Sequence, residues 1–338
     1  MNFDFTDDQR AIKSTAREFL SARFTAEKVR ELAEAGEYDD ALWTQIVELG
    51  WPGIFIAEQH GGQDLGTVEL AILMEELGYA LAPAPFFSNA AAGLLVAHAG
   101  SDEQRERYLP GVAGGDRRGA VAVLSNGRAP LVADADSAAF IVLVDGNQAS
   151  VVDASDARIE PVRTIDATRR FSTVDADGGD PLEGDVQAAL DRIAVALAAE
   201  LTGVAQRALE LSVEYTKERK QFDRPIGSFQ AISHRCAQMM LETEGSRATT
   251  LYAAWAADHE PDSLALAASM AKAYASDAGW RVTAAALQVH GGIGFTWEHD
   301  LHFFLKRAKT DAYLFGTARE HRDRVADLVG LSRSAAAV

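Results

Sequence analysis

The sequence predicts a mainly α-helical protein with a central β domain. Three observations predict it. Long Ala-rich stretches bounded by helix start and stop signals fill both ends of the chain. Short β-type runs joined by turn residues fill the middle. The 338 residues are 48% hydrophobic and 24% charged, a globular composition with enough chain for two or three cores. The expected division is an N-terminal helical domain at 1–117, a small β domain at 118–185 and a C-terminal helical bundle at 186–338.

In chain order, Thr6 with Gln9 forms a capping box that opens a helix to about residue 23. Trp43, Ile46, Val47 and Gly50 continue a helical stripe that stops at Gly50-Trp51-Pro52-Gly53, and a loop follows at Glu58-Gln59-His60-Gly61-Gly62. Thr67 to Gly78 reads as a helix with Val68, Ile72 and Leu73 on one face. Ser101 with Gln104 caps another, expected to end at Pro110-Gly111. Ala120–Leu124, Ala139–Val144, Ser150–Val152 and Phe171–Val174 read as strands, with Asp145-Gly146-Asn147 as a hairpin turn and Gly178-Gly179-Asp180-Pro181 as a linker. Four long helices are expected after it, at Val186–Glu218, His234–Asp258, Ser263–His290 and Glu320–Leu331, and their short connections suggest a bundle.

The net charge of −18 repels phosphate backbones, so nucleic-acid and anionic-membrane binding are not expected, although a local Arg site for an anionic cofactor is compatible with it. The single cysteine, Cys236, excludes an intrachain disulfide and fits a reducing cytoplasm; beside Met239 and Met240 it reads as packing. The opening Met1-Asn-Phe-Asp-Phe-Thr-Asp-Asp has acids where an export signal needs bases. The apolar region at 84–99 is too short and too polar to span a bilayer.

Two stretches carry chemistry. The first is Arg219-Lys-Gln221-Phe222, followed by Arg224-Pro225-Ile226-Gly227 at the end of a long helix. A guanidinium matches a diphosphate with two parallel charged hydrogen bonds, although an exposed Arg at a helix C-terminus, where it favours the macrodipole, is the commoner case. The second is Gln288-Val-His-Gly291-Gly292, whose glycines could admit a ligand to the backbone or simply cap a helix. It lacks the preceding strand and the spacing of a doubly wound dinucleotide fingerprint. His299 and His302 stand three apart, as on one helix face, but no third metal ligand is evident, so no metal is expected. Glu200 interrupts an apolar helix and reads as a partnered polar residue.

The whole chain resembles the acyl-CoA dehydrogenase family. Phe5-Thr6-Asp7-Asp8-Gln9, Gly50-Trp51-Pro52-Gly53 with Glu58–Gly62, Gly100–Pro110, Gly203–Leu209, Arg219–Phe222 and Gln288–Gly292 match six of its segments, in order. The resemblance implies a helical domain, a β domain and a four-helix bundle, usually assembled as a dimer of dimers. It also implies one FAD lying across a subunit interface. Carried onto this chain, Arg219 would pair with the diphosphate, Gln221 would hydrogen-bond beside it and Phe222 would pack along the cofactor. Phe229, Gln230 and Ile232 would line the adenine side, Gln288, Gly291 and Gly292 would give amide and backbone contacts, and Thr317 would touch the flavin. The implied acceptor of the electrons is an electron-transfer flavoprotein.

Two departures narrow that implication. The family's reaction needs a carboxylate to remove a proton while flavin takes a hydride. In its commonest pattern that residue precedes Gly-Thr, and here the position is Phe315. Where some members place the glutamate earlier, this chain has Asp191-Arg192-Ile193, with the position falling at Ile193 and Asp191 expected on another face. The segments that grip the flavin ring, of Thr-Glu-Pro-x-Ala-Gly-Ser-Asp and Trp-Ile-[Ser/Thr] type, are also missing: after Val123 the chain goes directly to Leu124-Ser125-Asn126-Gly127-Arg128-Ala129-Pro130, and no Trp occurs between Trp51 and Trp255. The expectation is a subunit that completes the FAD site of a homologous catalytic subunit, which would hold most of the acyl-CoA. The alternatives are a self-sufficient homo-oligomer with Asp191 as a relocated base, or a scaffold without activity. The run His290–Asp300 resembles two-component enzymes of actinobacterial steroid side-chain degradation.

Overall fold

The computed structural model describes residues 4–331, so Met1–Phe3 and the Ala-rich tail at 335–337 lie outside it. Six helices come first: α1 (Asp7–Arg23), α2 (Ala26–Ala35), α3 (Asp40–Glu48), α4 (Thr67–Ala80), α5 (Phe86–Ala99) and α6 (Asp102–Gly114). Both expected capping boxes form. Gln9 N donates to Thr6 Oγ1 at 3.2 Å, and Gln104 N donates to Ser101 Oγ at 3.2 Å. α6 runs past Pro110 to Gly114, where Gly115 caps it in left-handed geometry, so the expected stop at Pro110-Gly111 is corrected. Proline removes only one N–H, and the turn after it is kept in place by buried Val112 and Ala113. α5 was hidden in the sequence because it is apolar all round. Almost its whole length is buried, so it shows no stripe.

Seven strands follow: β1 (Gly119–Val123), β2 (Arg128–Ala133), β3 (Phe140–Asp145), β4 (Gln148–Asp153), β5 (Arg158–Val162), β6 (Phe171–Asp175) and β7 (Asp180–Leu182). They make a four-stranded sheet in the order β1-β3-β4-β7 and a three-stranded sheet in the order β2-β6-β5. β1 and β3 run parallel, and the expected hairpin joins β3 to β4 with Asp145 opposite Gln148. The 178–181 segment is not a linker throughout, because Asp180-Pro181 pairs with Ser150 and Val151 as the edge strand β7. Alternation along β1 and β3 explains the layering. Ala120, Ala122, Ile141 and Leu143 face the second sheet, while Val121, Phe140 and Val142 join the helical core.

The rest is helical: α7 (Val186–Glu218), α8 (Gln230–His259), α9 (Pro261–His290), α10 (Leu301–Asp311) and α11 (Ala318–Leu328). A two-stranded ribbon, β8 (Lys220–Gln221) with β9 (Arg224–Pro225), follows α7. α7 is the axis of the molecule and packs against α4, α5, α8, α9 and α10. Its closest approach is to α4, where a Cβ on Gly203 would lie 1.9 Å from Glu75 O and one on Gly78 would lie 2.2 Å from Glu200 O. Glycine is required at both places for the backbones to meet. Below that contact sits a buried ion cluster. Arg169 Nη2 donates to both oxygens of Glu200 at 2.8 Å, Arg307 Nη1 to Glu200 Oε1 at 2.5 Å, Arg307 Nε to Asp166 Oδ2 at 2.9 Å and Arg169 Nη1 to Asp311 Oδ1 at 2.6 Å. Glu200 is therefore a partnered residue, as expected. Burial opposes its ionisation, but Arg169 and Arg307 hold its carboxyl below the usual carboxylate range. The cluster pins the loop before β6 to α7 and α10.

Candidate functional site

Two places concentrate the site residues, at opposite ends of α7. The first is a cavity of about 540 Å3, within the size range of small-molecule sites. α5 gives Phe87, Ser88 and Ala91, the sheets give Val121, Val123, Pro130, Leu131 and Val144, and α7 gives Gln187, Leu190 and Asp191. The far wall is the segment Tyr313–Gly316 with Glu320, His321 and Arg324 of α11. Pro130 and Leu131 reach the cavity because β2 has a register shift between Ala129 and Val132.

Phe315 forms part of this wall with φ +53°, left-handed geometry that a bulky residue rarely adopts, and Gly316 follows at +100°. The Phe315 ring meets Phe87 edge to face at 5.9 Å. Asp191 also lines the cavity and Ile193 does not, so the two lie on different faces, as expected, with the cavity on the side of Asp191. Two residues along a helix turn the side chain by more than a right angle, so Ile193 enters the core while Asp191 meets the cavity. Its carboxylate is engaged: Arg324 Nη2 donates to Oδ2 at 2.9 Å, Arg324 Nη1 donates to Oδ1, and Gln187 Nε2 reaches Oδ1 at 3.1 Å. Glu320 is engaged as well. Its Oε2 accepts from Thr317 N at 2.7 Å and Thr317 Oγ1 at 2.8 Å in a capping box, and the Thr317 amide draws its pKa down. His321 Nε2 meets Phe315 O at 3.0 Å, and burial, then nearby Lys272, favours its neutral form.

The second place is the end of the bundle where α7 and α9 finish and α8 begins. Tyr215 stacks on His290 at 4.4 Å, bringing the Arg219 and Gln288 segments to one end. Arg219 caps α7 and is exposed, with no ion pair among the described residues. Gln221 pairs with Arg224, and between them Phe222 and Asp223 turn with φ +52° and +61°, the two positive angles of a type I′ hairpin. Phe222 is 87% exposed at the tip and meets Phe229 edge to face at 6.1 Å, with the Arg224 guanidinium 4.1 Å over the Phe229 ring. Gln230 opens α8 on the surface, with half-buried Ile232 behind it. Gln288 is exposed in the last turn of α9, and Gly291 stands at φ +63°, ψ −138°, a conformation for glycine alone. A Cβ on Gly291 or Gly292 would meet nothing within 4 Å. Space beside bare backbone, an unpaired guanidinium, an exposed amide and an exposed aromatic ring fit the diphosphate and adenosine side of a flavin dinucleotide. When bound, FAD supplies the hydride acceptor.

Asp191 and Arg219 are separated by 28 residues, all but the last within α7, roughly 42 Å of axis. One dinucleotide cannot touch both ends. Thr317 belongs with the cavity, far from the other expected contacts, and its hydroxyl is spent on Glu320. His299 and His302 do not share a helix face. His299 precedes α10 and stands edge-on to His290 at 4.6 Å, while His302 stacks on Trp297 at 4.3 Å. Cys236 is half-buried and its thiol is pushed up by that burial, consistent with packing. Sequence reasoning missed Lys272, Arg169 and Arg307. For Lys272 the available signal was an isolated cation in Ala-rich helical text, which in a packed helix must find acceptors; Arg169, in a loop beside Arg170, and Arg307, between Lys306 and Lys309, carried no such signal.

Comparisons with known proteins agree with this architecture. Residues 6–116 match the acyl-CoA dehydrogenase N-terminal domain, and residues 184–330 match the acyl-CoA dehydrogenase C-terminal domain. Acyl-CoA dehydrogenase IpdE2 of Mycolicibacterium smegmatis is 33% identical over 326 residues, covering 95% of this chain and 98% of its own. The Tcur3481-Tcur3483 steroid ACAD, in its G363A variant, superposes with a TM-score of 0.86 at 28% identity, over 96% of this chain and 98% of that one. The ChsE4-ChsE5 complex of Mycobacterium tuberculosis shares the fold with a TM-score of 0.89 at 24% identity, over 99% of this chain and 100% of that one. The chain belongs to the acyl-CoA dehydrogenase family, FAD-dependent oxidoreductases that act on CH–CH bonds.

Proposed function

We propose that this chain is the subunit of a heteromeric acyl-CoA dehydrogenase that supplies the diphosphate and adenosine half of a partner's FAD site and has no catalytic base of its own. The observation that carries this reading is the state of the acids at the cavity. Phe315 cannot accept a proton, Asp191 is forked by Arg324, and Glu320 is consumed as a helix cap. The separation along α7 supports it, because the exposed clamp at Arg219 and Gln288 must serve a different FAD from any at this chain's own cavity. The partner is a homologous catalytic subunit carrying the ring-binding segments and the glutamate. The substrate class is a steroid-derived acyl-CoA held mainly by that partner, in keeping with the steroid ACAD relative. Electrons would leave to an electron-transfer flavoprotein. The three-part division at 117 and 185 belongs to the same proposal.

Co-expression with such a partner tests it. The expected product is a yellow, active complex with one FAD per heterodimer, whereas the chain alone is colourless and inactive. Two FAD per heterodimer would overturn the half-site reading. Turnover by the single chain that disappears in Asp191→Asn would favour the self-sufficient enzyme instead.

A further inference from the structure

The cavity wall formed by Tyr313–Gly316 is held from behind by a lysine that the proposed function does not use. Lys272 lies on α9 with 0% exposure. Its ammonium has three N–H donors and finds three acceptors: Ser276 Oγ at 3.2 Å, Ala312 O at 3.4 Å and Gly316 O at 3.0 Å. Two of those acceptors bracket the four wall residues. His321, from α11, binds the carbonyl between them at Phe315. Two side chains thus tie three carbonyls of a five-residue connection that contains two consecutive positive φ angles. None of the three acceptors is an anion. The three bonds favour the ammonium, but burial with no anionic hydrogen-bond partner outweighs them and lowers Lys272 to about 7.

We propose that Lys272 is the positioning residue of the cavity wall: it sets the conformation of residues 313–316 through the Ala312 and Gly316 carbonyls, and closing that segment over it expels a proton. The sign follows from linkage. The closed wall disfavours the ammonium, while an opened wall returns it to water and to an ordinary lysine affinity for protons. Opening therefore takes up a proton, and the wall tightens as pH rises from about 7 toward 10.5. The charged groups acting on Lys272 are Asp311 from α10 and Glu320 from α11, with the His321 imidazole beside it; α7 contributes Glu200 and Asp191, which act on Asp311 and His321. Asp311, raised first by burial and then by Glu200, works in the opposite direction, because opening would release its proton. Both act in the wild type, so a difference between wild type and a Lys272 variant isolates the lysine. This inference does not depend on whether the chain shares a cofactor.

The test is amide hydrogen exchange of residues 312–317 in the full chain between pH 7 and 9, corrected for the intrinsic rate. In the difference between wild type and Lys272→Met, the opening constant should fall by up to roughly tenfold per pH unit, the limit for one linked proton. The Met variant should lack that slope whatever its absolute protection, and amides of α8 should show none in either protein. A merely structural lysine would shift the level of protection without changing its slope. Parallel profiles in wild type and variant, or a wild-type wall that loosens relative to the variant as pH rises, overturn the proposal. Should Lys272→Met fail to fold, Lys272→Arg, which never loses its charge, must flatten the profile equally. If neither folds, a wild-type wall that does not tighten with pH overturns it.

Discussion

Replacing Glu200 by Gln should destabilise the chain by about 3 kcal/mol, and the size of that effect depends on Asp311. Glu200 accepts three guanidinium contacts, from Arg169 on both oxygens and from Arg307 on one. Breaking a buried ion pair costs about 3–5 kcal/mol, because the remaining charge stays buried without its partner. Gln keeps the shape but turns an N–H toward one guanidinium. The lower end of the range is expected because a second acid can respond. Burial and the neighbouring Glu200 carboxylate push Asp311 above the usual carboxylate range, so part of its charge is held in reserve. Once Glu200 is neutral, Asp311 ionises more readily against Arg169 at 2.6 Å and restores the balance. Asp311→Asn alone should therefore cost less than Glu200→Gln, and the double variant should exceed the sum of the two by at least about 1 kcal/mol. Urea unfolding of the four proteins, followed by circular dichroism at neutral pH, gives the comparison. A Glu200→Gln variant within about 1 kcal/mol of wild type, or a strictly additive double variant, would refute the idea that the two acids share one charge.

Three other outcomes follow from the site. Arg219→Ala and Gln288→Ala alter exposed side chains, so unfolding midpoints should stay within about 0.5 kcal/mol, while flavin absorbance of the co-expressed complex after dialysis falls; for Arg219 the loss should be roughly tenfold in affinity or more. Gly291→Ala should cost the chain alone about 1–3 kcal/mol, because φ +63° with ψ −138° strains any Cβ; Gly292→Ala should be neutral in the chain alone yet weaken FAD retention, which separates backbone strain from ligand approach in paired melts and flavin titrations. Asp191→Asn should lower stability by about 1–3 kcal/mol by unpairing Arg324, and should leave turnover of the assembled complex unchanged in a dye-reduction assay.

Much of the scaffold was legible because its signals are local. The capping boxes at Thr6 and Ser101, the Asp145–Asn147 turn and the limits of α7 rest on side chains within a few residues of the backbone they satisfy. Where burial is complete, the local signal vanishes. α5 has no polar face, so its apolar run carried no period, and β7 is a strand only because Ser150 and Val151 offer it an edge. The residues of the proposed clamp were legible as candidates for a related reason. An exposed arginine, an exposed amide and a glycine pair stand out in helical text that gives them no packing role.

By itself the sequence determined the order of helical and β segments, the family resemblance, and the presence of phenylalanine at position 315. What it could not determine was which groups meet across long separations. Asp191, and not position 193, faces the cavity, but its partner Arg324 lies 133 residues on, so neither its direction nor its engagement had a local trace. The same holds for Lys272 with Gly316 and for the five-residue cluster around Glu200. Charge pairing in a core depends on distances through space, and those are fixed only when α7, α9 and α10 pack together.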